Sequence, residues 1–104
     1  MDNKQIEVRN NSAAHRYEVA LDGQLAVLTY SQRGNQIAFL HTGVPEELEG
    51  HGIANALAHT ALEDARAHHR MVVPACPFVA AYIRRHPEYL SLLSDTEKAR
   101  LQQR

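Results

Sequence analysis

The chain has no tryptophan, one cysteine and only two lysines, Lys4 and Lys98, in 104 residues. A single thiol, Cys76, excludes an internal disulfide and a cysteine-rich zinc site. Charge of one sign is missing too. Eleven Lys and Arg stand against twelve Asp and Glu, a net charge of −1. That balance argues against a sequence-blind electrostatic grip on nucleic acid or on an anionic membrane. No apolar run approaches the ~18 residues that a spanning helix needs. Met1-Asp2-Asn3-Lys4 does not read as a signal peptide. These absences leave a cytoplasmic globular protein as the expectation. The composition, 44% hydrophobic and 22% charged, is far from that of a disordered chain. A chain this size reads as one domain over residues 1–104. It buries roughly two thirds of its unfolded surface, enough for a core without metal or disulfide.

The first half reads as strands. Gln5 to Arg9 alternates and meets Asn10-Asn11-Ser12, a turn cluster. His15 to Leu21 alternates around Tyr17, Val19 and Leu21, and Asp22-Gly23 is a two-residue hairpin signal. Gln24 to Ser31 is the partner strand, with Leu25, Val27 and Thr29 on one face. Arg33-Gly34-Asn35 turns the chain into a fourth strand, Gln36 to Val44. There Ile37, Phe39 and His41 alternate against Ala38, Leu40 and Thr42. Gly43 marks a bulge or a close backbone approach. The second half changes period. Ile53, Leu57, Ala61, Leu62 and Ala65 form a helical stripe ending near His68-His69. Met71 to Ala75 is a short buried strand, expected parallel to the fourth because a helix joins them. Cys76-Pro77 opens a second helix that ends around His86-Pro87. Asp95 to Arg104 reads as a short C-terminal helix capped by Ser94 or Asp95.

Three places carry chemistry. In Val44 to Ala54 a strand feeds a Gly-rich turn that opens a helix. Exposed amides and the helix dipole there favour an anion, although a plain strand-to-helix turn has the same pattern. The acids Glu46, Glu47 and Glu49 oppose a bare phosphate site or, alternatively, complement the dipole. Cys76 lies at a strand–helix junction, where a helix N-terminus makes thiolate more available. A small buried apolar side chain is the equally ordinary alternative. His41, late in its strand, is a candidate general base, as is Glu46. The remaining histidines do not build a metal site. His51 and His59 are eight residues apart on one helix face, about 12 Å along its axis.

The order of parts resembles the GNAT superfamily of N-acetyltransferases: a meander, Val44-Pro45, then Glu49-Gly50-His51-Gly52-Ile53-Ala54 opening a long helix, a short strand and a helix with a tyrosine. The acetyl-CoA signature of that superfamily, Gln/Arg-x-x-Gly-x-Gly/Ala, falls on Glu49 to Ala54, with Glu49 where Gln or Arg is usual. The closer similarity is to its compact branch of roughly a hundred residues. Val44 to Gly50, and Cys76-Pro77-Phe78-Val79 through Tyr82-Ile83-Arg84-Arg85-His86-Pro87-Glu88-Tyr89, look like the two hallmark blocks of that branch.

The resemblance implies an α+β fold of the three-layer GNAT type. A mostly antiparallel sheet of about five strands is splayed between the fourth and fifth, with helices packed on it. It implies acetyl-CoA as co-substrate and no metal. Backbone amides of Gly50, His51, Gly52, Ile53, Ala54 and Asn55 would take the CoA pyrophosphate, with Glu49 in doubt as a side-chain contact. Thr42, Gly43 and Val44 would pair with the pantetheine arm. From their own chemistry, Arg84 and Arg85 either offer forks to the CoA 3′-phosphate or form an exposed helix end whose charge complements the dipole. Cys76 would face the acetyl group as nucleophile or as packing, and Tyr82 would protonate the leaving thiolate or serve as core. Only Asn10 to Ala14 stands where full-length relatives carry two helices, so the acceptor pocket should be open. The implied activity is acetyl transfer to an amine, by direct attack or through Cys76, and the chain itself does not define the acceptor. The rivals are an inactive CoA-binding module and a protein-interaction domain on the same fold. No nucleic-acid or membrane partner is expected, and the expected state is a monomer or weak dimer.

Overall fold

Residues 6–103 are described by the computed structural model. A short strand β1 (Arg9–Asn11) meets β2 (Arg16–Leu21) through a 3-10 turn over Ser12–Ala14. The Asn11 side chain caps that turn by accepting from the Ala14 amide at 3.2 Å, and His15 leaves it in left-handed backbone. The first strand therefore sits later than Gln5 to Arg9, and two of the three expected turn residues lie within it; Gln5 is outside the described residues. The reason is side-chain chemistry. Glu18 on β2 accepts from Arg9 (3.0 Å), Asn11 (2.9 Å) and Arg16 (2.6 Å), which fixes the register Arg9↔Glu18 and Asn11↔Arg16.

Asp22 and Gly23 both take positive φ, the backbone of a tight hairpin turn, and join β2 to β3 (Gln24–Arg33). Gly34 turns β3 into β4 (Gln36–Gly43). β3 runs two residues past the expected Ser31, because Gln32 and Arg33 still find partners in Ile37 and Gln36. The register then shifts: Tyr30 pairs with Phe39, but Thr29 pairs with His41. Leu40 is the extra residue, so the bulge lies there and not at Gly43. One residue gained reverses the alternation. Ile37, Phe39 and Thr42 face the core side, whereas His41 joins Thr29 on the other face. The expected grouping of His41 with Ile37 and Phe39 is corrected accordingly.

Helix α1 (Ile53–Ala67) crosses back to β5 (Met71–Pro74), which pairs parallel with β4 from Gln36↔Met71 to Phe39↔Pro74. The five strands lie in sequence order, antiparallel except for this last pair. α2 (Pro77–Arg85), a 3-10 segment (Pro87–Leu92) and α3 (Asp95–Gln102) follow, with Ser94 capping α3 through the Glu97 amide.

The core joins one sheet face to α1. Tyr17, Val19, Ala26, Leu28, Tyr30, Ile37, Phe39 and Val72 bury against Leu57, Ala58, Ala61, Leu62 and Ala65. All five stripe residues expected for this helix are buried. The hydroxyl of Tyr17 donates to Asp64 at 2.8 Å and pins α1 to β2. α2 lies beside α1, with Val79, Tyr82 and Ile83 in the same core. Along β2 to β4 the alternate residues Ala20, Val27, Thr29, Ser31 and Ala38 are exposed or half-buried. With only a 3-10 turn between β1 and β2, no helix covers that side of these strands among the described residues. The architecture is the expected α+β, GNAT-like one, a five-stranded mixed sheet with helices.

Three donors hold the Glu18 carboxyl down to about 2 from 4.5, with the Arg16 bond the largest cause. A folded value below the unfolded one stabilises the protein above pH 4.5 and ceases to do so as the pH falls toward 2. Glu18→Gln should unfold at lower urea concentration than wild type at pH 7. The gap between their urea midpoints should close between pH 4.5 and 2; a gap that stays constant would remove the ionic explanation.

Candidate functional site

β4 ends at Gly43, and Val44-Pro45 leads into a 3-10 turn over Glu46–Leu48 that buries Leu48. Gly50 and Gly52 then take φ of +88° and +76°. Side chains other than glycine are strained in that region, by ~1–2 kcal/mol at a residue. A Cβ on either glycine would meet no atom within 4 Å, so the turn is open to a ligand. Gly52 is the N-cap of α1 and supplies no side-chain acceptor. The first amides of α1 thus have no side-chain cap, and they open on a cleft of about 240 Å³. Val44, Leu48, Ile53 and Phe78 form its apolar wall, and Glu49, Gly50, Gly52, Ala54 and Asn55 form its rim. Such a rim suits an anion, and the wall suits an apolar chain. His51 is exposed and is not part of the lining.

Beside this cleft β4 and β5 part. Their ladder stops at Phe39↔Pro74, and the Cys76 amide donates to the Phe39 carbonyl at 2.8 Å. Pro77 then starts α2, with Cys76 as its N-cap. From Leu40 onward β4 has no strand partner on that side among the described residues. Across this opening Cys76 Sγ lies 3.3 Å from Thr42 Oγ1 and is 3% exposed. The bulge at Leu40 brings Thr42 to this position. His41 is the neighbouring residue on the opposite face of β4. Its imidazole leans along the strand over Gly43: a Cβ built on that glycine would lie 3.3 Å from His41 Nε2 and 3.8 Å from Val27 Cγ2. Gly43 is therefore neither the bulge nor a close backbone approach: what crowds it is the His41 side chain.

Tyr82 is 5% exposed and belongs to an aromatic stack. Its ring stacks on His86 at 4.0 Å and lies 6.5 Å from Phe78 and 6.2 Å from Tyr89. Burial, then the nearby Glu88 charge, raises its pKa, which keeps the phenol protonated. Its hydroxyl makes no hydrogen bond among the described residues. Cys76 and Tyr82 are six residues apart, roughly 9 Å along the helix. Arg84 is not brought to the cradle. Its Nε donates to the Leu101 carbonyl at 3.0 Å, and it lines a separate cleft of about 360 Å³ with Arg100 and Glu97. Arg85 is exposed near the C-terminal end of α2, away from the cradle lining. Among the described residues no group of His, Cys, Asp and Glu is placed to hold a metal.

Sequence reasoning missed the wall residues Leu48 and Phe78 and the Thr42–Cys76 contact. It also missed a network on α1 in which the Tyr89 hydroxyl donates to Glu63 at 2.6 Å and sits 3.3 Å from His59. Phe78 carried a readable signal: it is a large apolar residue in the first turn of α2. The Thr42 contact carried none, because a bulge has no sequence signature in this strand.

A family model for GCN5-related N-acetyltransferases matches residues 16–92. The chain is similar to Protein NATD1 of Gallus gallus and of Mus musculus, each 35% identical over 98 residues, covering 85% of this chain and 84% of theirs. It is also similar to a GCN5-like candidate N-acetyltransferase from Staphylococcus aureus solved by NMR. The TM-score is 0.67 at 25% identity, covering 86% of this chain and 88% of that one.

Gly43→Ala should push the His41 ring off the strand without unfolding the sheet, because the ring is exposed and free to move. The expected cost is within about 1 kcal/mol. A shift of the His41 ring resonances in NMR checks it; an unmoved ring would place the imidazole elsewhere.

Proposed function

The chain belongs to the GCN5-related N-acetyltransferase family, and on that premise we propose that it binds acetyl-CoA and transfers the acetyl group to an amine. The observation that carries this reading is the uncapped start of α1 behind two positive-φ glycines, opening on a cleft with an apolar wall. Amides of Gly50 to Asn55 would hold the pyrophosphate, and the unpaired edge of β4 at Thr42 to Val44 would take the pantetheine arm. CoA supplies an activated thioester. The departure at Glu49 weakens the cradle by like charge but removes none of its backbone donors.

His41 accepts the proton of the attacking amine, the new C–N bond forms as the C–S bond breaks, and the leaving thiolate takes a proton from Tyr82. The contact between Cys76 and Thr42 beside the opening favours a second route, in which the Cys76 thiolate first takes the acetyl group and then yields it to the amine. Arg84 is given no role in either route: its Nε donates to the Leu101 carbonyl and it lines the separate cleft.

Calorimetry with acetyl-CoA tests the reading. Wild type should bind at about micromolar strength, roughly 8 kcal/mol. Gly52→Val should lose at least tenfold through backbone strain and a blocked approach, and Glu49→Arg should tighten binding several-fold, more so at low salt. No binding to wild type overturns the reading. Intact mass after incubation then separates the routes. One acetyl adduct on Cys76, lost in Cys76→Ala together with turnover, supports the covalent route; a turning-over Cys76→Ala supports direct attack.

A further inference from the structure

The side of the sheet left uncovered over β2 to β4 leads to the parting of β4 and β5. The register lines up one row straight across it: Asn11 pairs with Arg16, Arg16 with Thr29, and Thr29 with His41. The row ends where the strands separate, with Thr42 and Cys76 on the helical side of the same opening. An acetyl group held there has helices on one side and this bare face on the other, so an acceptor has one open approach.

Charge on the face is one-sided. By register Arg9, Arg16 and Arg33 all project from it. Among the described strand residues of this face the one carboxylate is Glu18, and both its oxygens are already engaged. Arg16 gives Glu18 its Nε alone, so the two terminal nitrogens of its fork remain for another carboxylate. A polybasic segment, or a second copy of the same face, would meet like charge. Farther along the same face Leu25 and Met71 are exposed.

We propose that this face seats the acceptor and that the acceptor is an acidic polypeptide, its free amine at His41 and a nearby side-chain carboxylate on Arg16. The inference rests on the acetyl-transfer reading above and names its substrate class. Arg16 and His41 are two strand spacings apart, about 10 Å. An extended peptide covers that distance in about three residues, so the acid stands at the third or fourth position from the amine.

The test uses two peptides with free N-termini that differ only at positions three and four, Asp-Asp in one and Asn-Asn in the other. Each is titrated into the isotope-labelled protein without CoA, and then offered with acetyl-CoA. The acidic peptide should bind about tenfold tighter at low ionic strength, shift the amides of Arg16, Thr29 and His41, and be favoured by a similar factor in kcat/KM. Arg16→Gln should bring the ratio near one. Because that change also loosens Glu18, Thr29→Glu serves as the second variant: it keeps Arg16 and Glu18, puts a carboxylate beside Arg16 at the cost of the Thr29 hydroxyl bond to the His41 carbonyl, and should reverse the preference. Equal binding of the two peptides, or shifts confined to the helical side, overturns the proposal. So does a dimer in sedimentation that the acidic peptide fails to dissociate, which would assign the face to a second copy. The titration needs no turnover. A protein that docks the acidic peptide but binds no acetyl-CoA refutes the acetyl-transfer reading alone.

Discussion

Between Phe39 and His41 the fourth strand spends one residue more than its antiparallel partner, and Leu40 is that residue. Side chains alternate strictly along a strand, so a single extra residue exchanges the faces of everything after it. Without the bulge Thr42 would sit on the uncovered face and His41 among the helices. With it, the hydroxyl meets Cys76 across the opening and the imidazole looks out over the bare side. The opening itself has a separate cause. A parallel strand that turns into a helix must leave its neighbour, and Pro77 forces the turn immediately after the Cys76 amide makes its bond to Phe39. Bulge and helix start together place a thiol, a hydroxyl and an imidazole around one gap.

The rest of the molecule serves to hold that geometry still. Helix α1, whose uncapped start opens on the cleft, is anchored twice, by its apolar stripe and by the Tyr17 hydroxyl on Asp64. The edge of the sheet is a weaker element. β1 is three residues long and would contribute little as a bare strand. The bonds from Arg9, Asn11 and Arg16 to Glu18 make it part of the sheet. The other edge, β5, is four residues long and closes with Pro74, a residue suited to an edge because it lacks a donor for further pairing.

Most of the fold was legible because its signals are local. Asp22-Gly23 specified a hairpin, Ile53 to Ala65 specified a helix with one apolar stripe, and Pro77 specified a helix start; each needs only its neighbours in sequence. The misread parts depend on partners distant in sequence. The first strand is placed by Glu18, nine residues beyond Arg9. The bulge is set where β3 and β4 must both satisfy the core, and Leu40 looks like any strand residue. The cradle could be read from its glycines, since the positive φ of Gly50 and Gly52 is a backbone demand that sequence expresses directly. Arg84 could not, because its fate depends on a carbonyl seventeen residues later.

This difference also explains why resemblance speaks to one half of the reaction and not the other. The proposed donor side rests on amides and on the absence of Cβ atoms, which the change to Glu49 leaves in place. The proposed acceptor side rests on outward side chains on a sheet, where one substitution alters charge without disturbing the core. Arg16 and Arg33 are such residues. A face made this way can change its partner while the fold and the cradle stay as they are. Acceptor identity in this family is thus expected to follow the charge pattern of the uncovered strands, with the length of the β1–β2 connection deciding whether those strands are reached at all.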